Sequence, residues 1–139
     1  LLDAVGQAIN KIDNVQKYLP EEHRAGKVLF VIITDGLENS SEEFSYNDIR
    51  EMIEAKKKCG WEFLFLGANI DAGREAEKIG IDRDRSVTYE NDSKGVSLNY
   101  KTVSKAVSKV TKSRKCNIDL DEDWAEDIAE YHEKQQKSR

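Results

Sequence analysis

Val28-Leu29-Phe30-Val31-Ile32-Ile33 runs straight into Thr34-Asp35-Gly36. Six consecutive apolar side chains, mostly β-branched or aromatic, suit a strand covered on both faces, as in a parallel sheet. The run stops at Thr34-Asp35, and Gly36 lets the backbone turn sharply. A carboxylate is thereby placed at the carboxyl end of the most hydrophobic strand. In open α/β sheets that edge holds the ligand crevice, because the loops diverge there.

Working outward, Leu1, Leu2, Val5, Ile9, Ile12 and Leu19 fall at helical spacing, and Pro20 ends that helix. Downstream, Ser45 with Asp48 three residues later forms a capping-box start. Ile49, Met52 and Ile53 give the buried face of this next helix, and Gly60 closes it. Trp61 to Leu66 predicts a second strand, closed by Gly67. Asp71 caps a short helix reaching Ile79, and Ser86 to Tyr89 reads as a weaker edge strand. Val96, Tyr100, Val103, Val107 and Val110 mark a long amphipathic helix. Trp124, Ile128 and Tyr131 mark a last one in the charged segment 113–139. This alternation predicts an α/β, Rossmann-like, doubly wound and mostly parallel sheet with helices on both faces. Only three strands are legible, where such a domain has about five or six. Leu1 has no capping residue before it, so the chain is expected to continue upstream into the rest of the sheet.

Composition narrows the function classes. The net charge of −5 disfavours non-specific contact with nucleic acid or anionic membrane. No apolar run approaches the roughly 18 residues of a membrane span. Cys59 and Cys116 lack metal-ligand spacing and read as free thiols, Cys59 packed at a helix end. A reducing, cytoplasmic setting is the matching expectation.

LLDAVGQAI, VLFVIITDGLENSS and FLFLGANIDA, in this order and spacing, resemble the second half of bacterial von Willebrand factor A-like (VWA-like) domains. The resemblance covers roughly residues 1–112 and leaves 113–139 as a charged helical extension. It implies a protein-binding module rather than an enzyme, built on a metal-ion-dependent adhesion site with Mg²⁺ as the cofactor. In that family three loops form the site: an Asp-x-Ser-x-Ser loop, a Thr just before a helix beginning like Leu1-Leu2-Asp3-Ala4, and the Asp of the TDG segment. Only the last can be carried over, as Asp35. The implied partner is a protein whose acidic residue completes the metal's coordination, since a hard divalent ion bridges two carboxylates that would otherwise repel.

From the residues alone, Asp35 is open to two readings, a metal ligand or a carboxylate that caps its own turn. Asn39 and Asn69, on loops at the same edge, are candidates for a ligand surface or for ordinary loop hydrogen bonding. Asp3 reads as structural, in the first turn of a helix where negative charge is favoured. Asp119, Asp121 and Asp123 mimic calcium-loop positions, but Trp124 stands where the loop needs glycine, so an N-cap for the last helix explains them better. Lys109, Lys112, Arg114 and Lys115 read as a solvated helix face. Two further functions remain. One is a Mg²⁺-dependent hydrolase or phosphotransferase using Asp35, although Leu37 stands where an aspartyl phosphatase has its second Asp. The other is a structural, self-associating fragment whose exposed sheet edge, along residues 28–33, makes a homo-oligomer.

Overall fold

A computed structural model describes residues 1–38, 40–114 and 118–139. Helix α1 spans Leu2–Tyr18, β1 Leu29–Thr34, α2 Tyr46–Lys58, β2 Glu62–Gly67, α3 Ala72–Lys78, β3 Ser86–Thr88, α4 Ser93–Lys112 and α5 Glu126–Ser138. Short 3₁₀ turns lie at Glu21–His23 and Arg83–Arg85. The three strands form one open, all-parallel sheet in the order β1-β2-β3. Leu29 to Thr34 pair residue by residue with Glu62 to Gly67, and Phe65 to Gly67 pair with Ser86 to Thr88. The α/β, Rossmann-like class is therefore the architecture of the chain, and α2 makes the expected crossover between β1 and β2.

Local signals set the element ends. Ser45 accepts from the Asp48 amide while the Asp48 carboxylate accepts from Ser45, the reciprocal box read in the sequence. Gly60 and Gly80 follow the caps of α2 and α3 with φ of 88° and 82°, a region glycine enters without strain. Asp71 caps α3 through the Arg74 amide.

The alternation of strand side chains divides the core in two. Ile32, Phe63 and Phe65 face α1, α2 and α3, where Leu2, Val5, Ile9, Ile49, Ile53 and Ala76 bury against them. Leu64 and Leu66 face the other way, with Val87, Tyr89, Ala106, Leu120 and Ile128. The strand buried on both faces is β2, where Phe65, Leu64 and Leu66 are fully buried. β1 departs from that expectation. It is paired on one side only among the described residues, and Ile33 remains 45% exposed.

Three further expectations are corrected. The valine–tyrosine stripe that marks α4 is only partly its inward face, with Val103 and Val110 packed against the core. Gly95, Asn99, Thr102 and Ala106 point inward, while Val96, Tyr100 and Val107 are exposed. A Cβ on Gly95 would sit 1.8 Å from the carbonyl oxygen of Glu90, in the loop that leads from β3 into α4. Cys59 is exposed rather than packed, because it occupies the C-cap of α2 beyond its last buried turn. Asp119 and Asp121 do not cap α5, which starts from Ala125 without a side-chain cap. Asp121 pairs with Lys109, so that lysine is not a bare solvated charge. Cys116 and Lys115 lie outside the described residues.

Segment 118–139 packs on the sheet through Leu120, Ala125 and Ile128. Arg85 donates to the Leu120 and Asp121 carbonyls, and the Trp124 indole donates to the Asp84 carbonyl. No helix among the described residues is long and apolar enough to cross a membrane.

Candidate functional site

Asp35 directly follows β1 at the carboxyl edge of the sheet and is exposed. The turn beside it is closed by Thr34, whose Oγ1 donates to the Gly36 carbonyl at 3.2 Å. The Asp35 carboxylate has no hydrogen bond or ion pair among the described residues. Asn69 comes from the loop after β2, and its Nδ2 lies 3.4 Å from the Asp35 carbonyl oxygen. Its φ of 60° is in the left-handed region, which asparagine tolerates better than other side chains. Asn39 lies outside the described residues. Tyr89, one residue past β3, completes this side of the crevice. Burial raises its hydroxyl pKa, and the negative charge of Asp35 pushes it further up.

The loop after Asp35 is fastened to the start of α1. The Glu38 carboxylate accepts from the Leu2 amide at 2.9 Å and from the Ser40 and Ser41 amides at 3.1 and 2.5 Å. The Leu1 nitrogen lies 2.8 Å from the same carboxylate. Glu38 therefore takes over the N-capping of α1 that Leu1 cannot perform. Burial by itself raises the Glu38 pKa, but these donors outweigh it and hold the group far below the usual carboxylate range. Asp3 works in the opposite direction. Its carboxylate accepts from the Glu42, Glu43 and Phe44 amides, which lowers its pKa and organises the approach to α2. Asp3 is thus structural through the loop it holds, beyond any effect on its own helix dipole. Glu38 holds the start of α1 and Asp3 of α1 holds the loop amides at 42–44, so the Asp35 loop and the N-terminus of α1 form one unit.

A second cluster lies at the same sheet edge. A cleft of about 490 Å³ is lined by Asn69, Asp71, Thr88, Tyr89, His132 and Arg139, among others. Beneath it Glu90, whose side chain is 8% exposed, meets His132 Nδ1 at 2.7 Å and accepts from Gln136 at 3.2 Å and Arg139 at 2.8 Å. Burial raises the Glu90 pKa, and bonds from His132, Gln136 and Arg139 more than reverse this. Asp92 accepts from the Tyr131 hydroxyl and also caps α4 through the Gly95 amide. No spacing rule joins residue 90 to residues 132–139, so sequence reasoning missed this cluster. The only signal was an acid just past a strand and polar residues at helical spacing on α5.

No family model matches the chain, and neither a curated protein nor a solved structure matches it.

Among the described residues, no group of three or more histidine, cysteine, aspartate or glutamate side chains is arranged to hold a metal ion. Mg²⁺ requires near-octahedral oxygen coordination and sheds its waters reluctantly. Asp35 alone does not fit that requirement, so a resident Mg²⁺ would need ligands beyond the described residues. Calorimetric titration of Mg²⁺ into the 139-residue chain is accordingly expected to show no tight, stoichiometric isotherm. A tight one-to-one isotherm that disappears in Asp35→Ala would contradict this.

Proposed function

We propose that the chain is part of a protein-binding module of VWA type, with Asp35 as the recognition carboxylate. The observation that carries this reading is the state of Asp35: exposed, free of side-chain partners among the described residues, and on a loop that other residues hold in place. A carboxylate needed only for the turn would be engaged in it, and Thr34 makes that bond instead. Glu38 and Asp3 stiffen the loop, which reduces the ordering cost a partner would meet. The resemblance adds that the cognate group on the partner is acidic and that Mg²⁺ joins the two. In this chain that step depends on oxygen ligands outside the described residues.

The test is quantitative affinity capture with the chain and its Asp35→Ala variant, with Asp123→Ala as a surface-acid control. At least one protein is expected to be retained by the parent and the control and lost by Asp35→Ala. Identical capture profiles for all three would overturn the proposal.

A further inference from the structure

Tyr89 is 5% exposed and belongs to the core cluster of Leu64, Leu66 and Ala68. A buried tyrosine ordinarily gives its hydroxyl a partner. Here the hydroxyl makes no hydrogen bond among the described residues, and Tyr89 lines the cleft of about 490 Å³ that opens past β2 and β3. Burial and the charge of Asp35 raise its pKa, so the hydroxyl keeps its proton and is a donor. The walls of this cleft come from the loops after β2 and β3 and from α5. They stand across the sheet from the outer edge of β1.

Arg139, at the end of α5, supplies a second donor. Its Nη2 donates to Glu90 at 2.8 Å, while Nε and Nη1 make no hydrogen bond among the described residues. Glu90 is buried and holds His132 and Gln136 as well, so it fixes the guanidinium and is not itself open to a ligand. Charge in the cleft is close to balanced. Arg139 offsets Glu90, and Asp71 on the rim caps α3 and lies 4.0 Å from Arg83. A near-neutral site with two open donors suits a monoanion held by charge-assisted hydrogen bonds. A dianion would meet Asp71 and Glu90 without enough positive charge to offset them.

We propose that this cleft takes an acidic side chain of the protein partner, its carboxylate bonded by the Tyr89 hydroxyl and the Arg139 guanidinium. The inference rests on the reading of the chain as a partner-binding module. Asn69 joins the two sites, because it lines the cleft and its Nδ2 lies 3.4 Å from the Asp35 carbonyl oxygen. A partner segment that reaches Asp35 therefore has the cleft beside it. The planar guanidinium presents its N–H groups as a fork that matches a carboxylate. Unlike the contact at Asp35, this one needs no metal, because the chain itself supplies the donors.

The probe is N-acetyl-aspartate N-methylamide, a single blocked acidic side chain, titrated into the ¹⁵N-labelled chain. Saturable amide shifts are expected at residues 69–71 and 88–90, with a dissociation constant on the order of millimolar. The asparagine analogue should give none. Tyr89→Phe keeps the packed ring and should weaken the probe at least about fivefold, as should Arg139→Gln. The amides of Ala125 and Ile128 report whether α5 stays docked in Arg139→Gln, and Tyr89→Phe decides if it does not. Asp35→Ala should bind the probe no more weakly than the parent. Absence of saturable shifts, or equal affinity in Tyr89→Phe, would overturn the proposal. Inorganic phosphate bound as tightly as the probe would overturn the carboxylate class. Loss of the shifts in Asp35→Ala would place the contact in the Asp35 crevice and overturn the cleft as a separate site. Shifts as expected, with partner capture indifferent to Asp35, would refute the Asp35 reading and leave the cleft assignment standing.

Discussion

Glu38→Ala is expected to lower the unfolding free energy by about 1–3 kcal/mol, because it leaves the part-buried Leu2 and Ser41 amides without their acceptor. The side chain is 8% exposed and receives the Leu2, Ser40 and Ser41 amides. Alanine leaves these facing a small void and removes the N-cap of α1 together with the anchor of the Asp35 loop. The same group dictates a pH dependence. Its folded-state pKa is depressed below the usual 4.5, so its stabilisation is complete above that value and is lost as pH falls through the folded-state pKa. Glu90 is depressed as well and contributes with the same sign. Urea midpoints should therefore decline for the parent chain as pH drops below about 4.5, and decline less for Glu38→Ala. A variant within about 0.5 kcal/mol of the parent at neutral pH would show that the loop is held by other means.

Glu90→Ala should cost about 2 kcal/mol and release α5 selectively. Hydrogen bonds to a charged acceptor are each worth about 1.5–3 kcal/mol, but His132 and Arg139 can turn toward water and recover part of that. His132 is 27% exposed and Arg139 64% exposed, so the net loss is smaller than the sum of the bonds. Amide hydrogen exchange should quicken across 126–138 while the amides of β2 stay protected. Equal acceleration in both regions would mean that Glu90 supports the whole fold rather than the anchor of α5. Unchanged exchange would mean that Ile128 and Leu120 hold the helix alone.

How far the chain could be read in advance follows from the range of each interaction. β2, the capping box at Ser45 and the glycines at 60 and 80 were legible because propensity, caps and apolar runs are local signals. The inward face of α4 was only partly legible, for a physical reason. Periodicity locates an apolar stripe but not the surface it meets, and here Gly95, Asn99, Thr102 and Ala106 are the residues of α4 that are buried. The placement of Asp35 and Asn69 at one edge followed from topology, since the carboxyl ends of parallel neighbours share a side. Glu38, Asp3 and the Glu90 cluster were not legible. The partners that join them to other elements lie 36 to 49 residues away, and a carboxylate holding distant amides looks in sequence like any surface acid.

The most direct measurement is the affinity of a captured protein for the parent chain and for Asp35→Asn, which keeps the shape of the side chain and removes its charge. A recognition carboxylate facing a desolvated partner predicts a loss of about 2–5 kcal/mol in binding. The unfolding midpoint should stay the same, because the Asp35 carboxylate makes no hydrogen bond or ion pair among the described residues and its backbone bond to Asn69 is unaffected. Equal affinities for the two proteins, with folding intact, would contradict the assignment of Asp35 as the group that recognises the partner.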